Sequence, residues 1–316
     1  MRNPAGLLLQ RDGTMHPYPK QIFTLQQQIQ SYVDAGMVIE PNDSAEDVLT
    51  RIGYYRLKGY CFHLYDNSTK QYASGTKFSD VVSLYNFDME LSHLLFGMLT
   101  AIEVALRARL NEALLTFGDA LILTDPTPFK DKALYWKNMS AIASEIARSN
   151  DVFIKHNFDN HNGQIPIWAV VETLSFGTLS KLIKNLDTAS GPAFSTLARF
   201  YQYKTANGNT AAPSQKMLSS WIQSVSVLRN ICAHNGRIYN RAINTTPEIL
   251  AVDRITPQPK YNGLYQLMLA MKYLRPNDRV WSDFAAQFKQ LKTRYDAVIA
   301  LNRINFPADW EAHFTV

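Results

Sequence analysis

Cysteine is scarce in this chain, whose 316 residues include only Cys61 and Cys232, and neither belongs to a C-x-x-C pair. A structural zinc site, which needs a cluster of thiolate or imidazole ligands, is therefore not expected, and both thiols are predicted to be free and buried. The histidines of residues 156–163 also lack the fixed spacing that a metal site requires. We expect no metal and no other cofactor.

Long apolar runs and an N-terminal signal pattern are also missing. No run approaches the roughly 18 apolar residues that a membrane span needs, and no charged-then-apolar leader opens the sequence. Glycine and proline are modest at 14 each, unlike the composition of a linker-rich or disordered protein. We therefore expect an ordered, soluble, cytoplasmic protein with no membrane partner. The net charge of +5 permits an anionic partner such as RNA without requiring one.

Strand-like alternation is too short to build a sheet, whereas helical spacing recurs throughout. The longest periodic segment covers about residues 78–117, where apolar residues recur mostly at steps of three and four. Residues 1–20 are interpreted as an irregular lead-in, and residues 118–135 and 156–163 as loops. Gly177 is expected to interrupt the helical pattern that begins at Ile167. No internal repeat is found. The pattern predicts an all-α fold.

Residues 228–241, Leu-Arg-Asn-Ile-Cys-Ala-His-Asn-Gly-Arg-Ile-Tyr-Asn-Arg, concentrate the polar chemistry of the chain. Ser214 is expected to cap the helix that leads into them, and a helical step of 100° places Arg229 on an otherwise apolar stripe. A guanidinium in that place must meet a partner helix, another subunit or an anion. Asn230 and His234 lie four residues apart and are predicted to face the same way.

The side chains of Arg229, Asn230 and His234 suit one kind of chemistry in particular. An imidazole can take a proton from a ribose 2′-hydroxyl and give one to the leaving 5′-oxygen. Arg229 can hold the phosphoryl oxygens, and Asn230 can orient the imidazole or the phosphate. Because RNA carries its own nucleophile, the set suits metal-independent RNA cleavage and suits DNA hydrolysis poorly.

The spacing of Arg229 and His234 is a weak signal by itself. An arginine followed by a histidine after four to six residues also occurs at Arg11–His16 in the lead-in and at Arg56–His63 in an aromatic segment, and we interpret both pairs as structural. Only the Arg229 pair adds an adjacent asparagine, a helix end and trailing arginines. On the residues alone, catalysis and a structural helix cap are equal alternatives there.

Two further sets of residues are candidates. Glu103 and Arg107 lie four apart on the long helix and could support the catalytic arginine from a facing helix, although an intrahelical ion pair is favoured. The second set could bind single-stranded RNA by stacking and phosphate contacts, although aromatic residues at that density more often form core. Its members are Tyr54, Tyr55, Arg56, Lys58 and Tyr60.

Five segments, 52–60, 78–109, 166–177, 229–234 and 306–310, carry a family resemblance. They include Gly-Tyr-Tyr-Arg-Leu-Lys-Gly-Tyr and Ile-Glu-Val-Ala-Leu-Arg. On these motifs, from about residue 20 to 310, the chain resembles the Abi-like proteins of abortive phage infection, in the group that includes AbiD and AbiF. Those proteins look like members of the HEPN superfamily, whose Arg-x4–6-His motif forms a ribonuclease site.

The resemblance implies an HEPN-like helical bundle with additional N- and C-terminal helices. Residues 21–316 would form a single domain, with the HEPN core at roughly 78–245. Because two copies of the motif usually meet at an interface in such proteins, it also implies a homodimer with a composite groove. A structured inhibitory RNA is implied as a further partner.

The same resemblance implies an endoribonuclease that acts as an anti-phage or toxin effector. His234 would be the acid/base, Arg229 would hold the scissile phosphate, and Asn230 would be a polar accessory. Arg237, and Arg241 beyond it, would contact RNA. The second histidine often found in the family is replaced here by Asn235.

Two other functions fit the same residues. In the first, the protein is a non-catalytic RNA-binding module that binds a structured regulatory RNA. In the second, it is a nucleotide-binding or protein-interaction domain in which Arg229 anchors an interface.

Overall fold

The computed structural model describes residues 22–255 and 263–316. Thirteen α-helices lie within these ranges, which confirms the predicted all-α class. The strands found there form two short antiparallel hairpins. These are β1 (Tyr65–Asp66) with β2 (Gln71–Tyr72), and β3 (Tyr203–Lys204) with β4 (Thr210–Ala211).

The chain divides into two compact units, residues 1–82 and 83–316. The boundary falls inside the longest helix, α4 (Phe78–Leu115), which spans 38 residues. The division therefore does not test the single domain expected over residues 21–316. That domain, and an HEPN core near 78–245, stay predictions.

The described part of the first unit holds α1 (Leu25–Asp34), α2 (Ala45–Ile52) and α3 (Tyr54–Lys58). Thr24 caps α1, because its hydroxyl accepts a hydrogen bond from the backbone N–H of Gln27. Aromatic rings pack edge to face or tilted behind these helices, with centroids 5.1–6.2 Å apart around one central tyrosine, Tyr32. The neighbours of that ring are Tyr54, Tyr72 and Phe78.

The second unit packs its core around one helix, α10 (Gln215–Ala233). This helix lies against α8 (Phe176–Lys184) and α11 (Leu264–Tyr273), and its Leu218, Ile222 and Val225 are fully buried as the sequence pattern predicts. Trp221 is buried too, and its indole N–H donates to the carbonyl of Glu248 at 2.6 Å. The helices that follow α4 are α5 (Lys132–Arg148), α6 (Val152–Asn160), α7 (Ile167–Thr173), α8 (Phe176–Lys184), α9 (Ala193–Arg199), α10 (Gln215–Ala233), α11 (Leu264–Tyr273), α12 (Asp278–Arg294) and α13 (Trp310–Phe314).

Local predictions fail in two places. The segment 156–163 was expected to be a loop, but α6 runs through Asn160 because Ile154 and Asn157 bury one face of it. The helix break expected at Gly177 falls earlier, at Leu174, since the hydroxyl of Ser175 caps α8 and leaves the glycine inside the helix.

Helix α4 also corrects the expectation that no apolar run approaches a membrane span. Among the described helices it alone is long and apolar enough by length and composition, with an 18-residue window of mean hydropathy 1.4. Its Leu91, Leu95, Leu99 and Leu106 are nevertheless fully buried within the protein. The core helix of a globular protein has this character, so the helix is weak evidence for a membrane.

Candidate active site

The segment around His234 is shaped by the way α10 ends. Asn235 adopts a left-handed backbone with φ of 50°, a conformation that asparagine tolerates better than most residues. Its N–H donates to the carbonyl of Cys232 at 3.0 Å, and the N–H of Gly236 donates to Ile231 at 2.8 Å. This pair of bonds is a Schellman cap. Asn235 therefore terminates the helix immediately after His234.

Arg229 emerges from the apolar stripe of α10 onto the surface of α4. Its Nε lies 3.4 Å from Oε2 of Glu103, and its guanidinium carbon lies 5.8 Å from the ring centre of Phe96. The approach to Glu103 is a charge interaction only, because Nε is buried without a hydrogen-bond partner among the described residues. The side chain is 34% exposed, so part of the cation still faces solvent.

Glu103 is shared by two arginines. Its side chain is 7% exposed and receives a 2.6 Å hydrogen bond from Nη2 of Arg107, in addition to the approach of Arg229. Arg107 also donates to the carbonyls of Val171 at 3.1 Å and Leu174 at 2.8 Å. The sequence offered an intrahelical pair or support for Arg229 as alternatives, and the structure contains both.

His234 and Asn230 lie one helical turn apart and are both exposed. Nη1 of Arg229 donates a long 3.5 Å bond to Oδ1 of Asn230. Among the described residues, the imidazole of His234 has no hydrogen-bond partner. The imidazole of His234 is thus open to solvent on the same side of α10 as Asn230, as the polar stripe predicts.

The guanidinium groups of the two trailing arginines, Arg237 and Arg241, donate hydrogen bonds to backbone carbonyls. Nη1 of Arg237 donates to the carbonyls of Tyr239 at 2.8 Å and Asn240 at 2.9 Å. Nη1 of Arg241 donates to the carbonyl of Arg237 at 3.1 Å. These bonds give Arg237 a structural role in the turn after His234, while contact of either arginine with RNA stays a prediction.

Asp88 is a residue of the site that the sequence reasoning missed. This carboxylate is 2% exposed and accepts the backbone N–H groups of Ile238 at 3.0 Å and Tyr239 at 2.7 Å. It ties the loop after His234 to α4. A signal was present, because an aspartate stands between Leu84 and Leu91 in the apolar periodicity of that helix.

We expect Asp88→Asn to lower the free energy of unfolding by about 2 kcal/mol, because the new amide can accept only one of the two buried N–H groups. Urea unfolding followed by circular dichroism measures the change. Asp159→Asn, at an exposed position of α6, is the matched control and should change stability by less than about 0.5 kcal/mol. Equal stability of both variants would contradict the role given to Asp88.

The thiols are free and buried, as predicted. Burial raises the pKa of Cys232 to about 11 and that of Cys61 to about 12, so neither is a reactive thiolate near neutral pH. Within residues 22–255 and 263–316, no three His, Cys, Asp or Glu side chains form a group that could hold a metal ion.

The aromatic segment proposed for RNA contact lies in the first unit, and only some of its side chains are exposed. Tyr60 is buried core, and Nζ of Lys58 donates to the hydroxyl of Tyr54 at 3.1 Å while lying 5.3 Å from its ring centre. Tyr55 and Arg56 are exposed, Tyr55 to 89%. An RNA contact there would rest mainly on these two side chains.

Two other arginine–histidine pairs fit the spacing of four to six intervening residues. Arg56 belongs to α3, and His63 follows that helix in the first unit. Arg11 and His16 lie outside the described residues.

Comparison with known proteins identifies the family. Neither the curated proteins nor the solved structures give a match. The sequence model of the Abi-like protein family matches residues 47–240, more than half of the chain, and this range contains α4, α10 and the loop tied by Asp88. The chain therefore belongs to the Abi-like protein family.

Proposed function

We propose that this protein is a metal-independent endoribonuclease of the HEPN type, which acts in the cytoplasm as an anti-phage or toxin effector. Membership of the Abi-like family suggests the role in abortive infection. The observation that carries the proposed activity is the end of α10. There an exposed imidazole, His234, follows Arg229 by five residues, about 1.4 helical turns, and Glu103 holds that arginine against α4.

The proposed reaction needs no nucleophile from the protein. His234 takes the proton of a ribose 2′-hydroxyl, and the 2′-oxygen forms a bond to phosphorus as the bond to the 5′-oxygen breaks. The leaving oxygen takes up a proton, so the products are a 2′,3′-cyclic phosphate and a 5′-hydroxyl. Arg229 faces the phosphoryl oxygens with the solvent-exposed part of its guanidinium, and Asn230 orients the imidazole or the phosphate.

A second subunit completes the site in this proposal. Base and acid are both needed, whereas α10 supplies one histidine at its end. Helix α4 exposes Phe96, which lies against Arg229, to 37%, and Val104 to 59%, and these side chains offer apolar surface to a contact with a second subunit. In a homodimer, two copies of the α10 end would face each other across one groove.

RNA is the proposed substrate, and a structured inhibitory RNA is the proposed restraint. The net charge of +5 suits both partners. Arg237, Arg241, Tyr55, Arg56 and Lys58 are the proposed contacts to RNA outside the reacting groups.

We expect the purified protein to cleave RNA in the presence of EDTA and to leave 2′,3′-cyclic phosphate or its opened form. Mass spectrometry of the cleaved ends identifies the products, and sedimentation shows whether the active species is a dimer. Activity that disappears with EDTA and returns with Mg²⁺ would overturn the metal-independent mechanism. Tight, salt-sensitive RNA binding without cleavage under any condition would favour the RNA-binding module instead.

A further inference from the structure

A cavity of about 320 Å³ opens between α4 and α12. It combines an apolar interior with a polar rim, a composition typical of sites for small organic molecules. The residues that define it are His93, Gly97, Met98, Asp283, Phe284 and Gln287.

The cavity and the proposed reaction centre share helix α4. Gly97 lines the cavity and directly follows Phe96, whose ring lies 5.8 Å from the guanidinium carbon of Arg229. Because successive residues of a helix point about 100° apart, the two places lie on different faces of α4. An RNA strand that crosses α4 from Arg229 can place one of its bases in the cavity.

The interior suits a flat ring. Met98 and Phe284 are each 4% exposed and contribute an apolar back wall. Gly97 leaves the surface of α4 open, because no atom lies within 4 Å of the place where its Cβ would stand. A purine or pyrimidine can lie against the helix backbone there.

The polar side chains at the rim of the cavity can discriminate among the four bases by their hydrogen-bonding groups. Asp283, His93 and Gln287 are exposed, and the carboxylate of Asp283 makes no ion pair or hydrogen bond among the described residues. The Watson–Crick edge of guanine presents two parallel N–H donors, N1–H and N2–H, which match the two oxygens of a carboxylate. Adenine and cytosine place an unprotonated ring nitrogen beside their amino group, which repels a carboxylate. Uracil offers a single N–H between two carbonyls.

We propose that this cavity is a guanine-binding subsite in which Asp283 accepts the N1–H and N2–H groups of the base. With the proposed ribonuclease activity, on which this part of the inference rests, the subsite fixes the position of cleavage relative to a guanosine. His93 and Gln287 border the same base.

Binding of the four nucleoside 3′-monophosphates to the full-length protein, measured by calorimetry, tests the subsite without any cleavage. Guanosine 3′-monophosphate should bind roughly tenfold more tightly than the other three, the discrimination expected of one bidentate contact. Asp283→Asn should remove this preference. Equal binding of all four nucleotides to the wild type would overturn the inference.

Two variants of Gly97 distinguish a loss of binding caused by filling the cavity from a loss caused by misfolding. Gly97→Leu should fill the cavity and abolish the guanosine preference, whereas Gly97→Ala adds one methyl group in open space and should retain most of it. Both replace an exposed helical glycine with a better helix former, so both should fold. Guanosine binding that is unchanged in Gly97→Leu would place the base elsewhere and contradict the assignment.

Sequencing the ends of cleaved RNA tests the position of the subsite. Enrichment of guanosine at one side of the cut, lost in Asp283→Asn, supports it. Cleavage without base preference would overturn the subsite and leave the ribonuclease proposal standing. Selective guanosine binding by a protein that cleaves no RNA would support the subsite and overturn the ribonuclease proposal.

Discussion

His234→Ala should reduce the rate of RNA cleavage by roughly 10²–10⁴-fold, the usual contribution of a general acid or base. The variant should keep its fold, because the side chain is exposed and the cap at the end of α10 is made by backbone groups. RNA affinity should change little, since the phosphate is held by Arg229. Initial rates on a fluorogenic RNA, with binding measured in parallel by anisotropy, separate the two effects.

His161→Ala is the matched control, because this histidine is also exposed but stands at the end of α6. Its cleavage rate should equal that of the wild type. Full cleavage by His234→Ala would remove the histidine from the mechanism. If Arg229→Ala abolished dimerisation while RNA affinity remained intact, Arg229 would be an interface anchor instead.

The features predictable from the sequence are those governed by local periodicity. The apolar stripe of α10 predicted that Leu218 and Ile222 would be buried, and the same angular step placed Asn230 and His234 on one exposed side. Ser214 caps the helix as predicted, because a hydroxyl at that position can satisfy a free backbone N–H without any tertiary contact.

Features that depend on distant contacts were not predictable in this way. The carboxylate of Asp88 is fixed by backbone N–H groups 150 and 151 residues further along the chain. Helix α6 escaped prediction because its second half, residues 156–160, consists of residues with modest helix propensity, and burial of Ile154 against neighbouring elements outweighs that composition. The apolar stripe of α10 predicted that Arg229 would need a partner. The identity of that partner, Glu103, depends on how α10 packs on α4 and could not be predicted from the stripe.

The sharing of Glu103 between Arg107 and Arg229 has a physical consequence for the site. Arg107 fixes the carboxylate through a 2.6 Å bond and is itself fixed by two backbone carbonyls, so Glu103 has little freedom to turn. A fixed carboxylate holds the facing guanidinium before substrate arrives. Such preorganisation lowers the cost of stabilising charge on a phosphoryl group.

Glu103→Gln should lower both stability and activity, because it removes the negative charge between two cations while keeping the side-chain volume. Breaking a buried ion pair from one side costs about 3–5 kcal/mol, and we expect the lower end because Arg107 keeps its two carbonyl contacts. Cleavage per folded molecule should fall roughly tenfold through kcat, as the guanidinium of Arg229 loses its orientation. Urea unfolding and steady-state kinetics well below the melting temperature measure the two effects separately.

Glu112→Gln controls for the loss of one carboxylate, because Glu112 lies exposed on the same helix without an ion pair among the described residues. It should leave stability within about 0.5 kcal/mol of the wild type. Glu103→Asp retains the charge and should recover part of the lost kcat, which a purely structural role would not require. If Glu103→Gln were less stable but kept the full kcat of the wild type, the carboxylate would serve the fold alone, and Arg229 would be positioned by Phe96 and the backbone of α10.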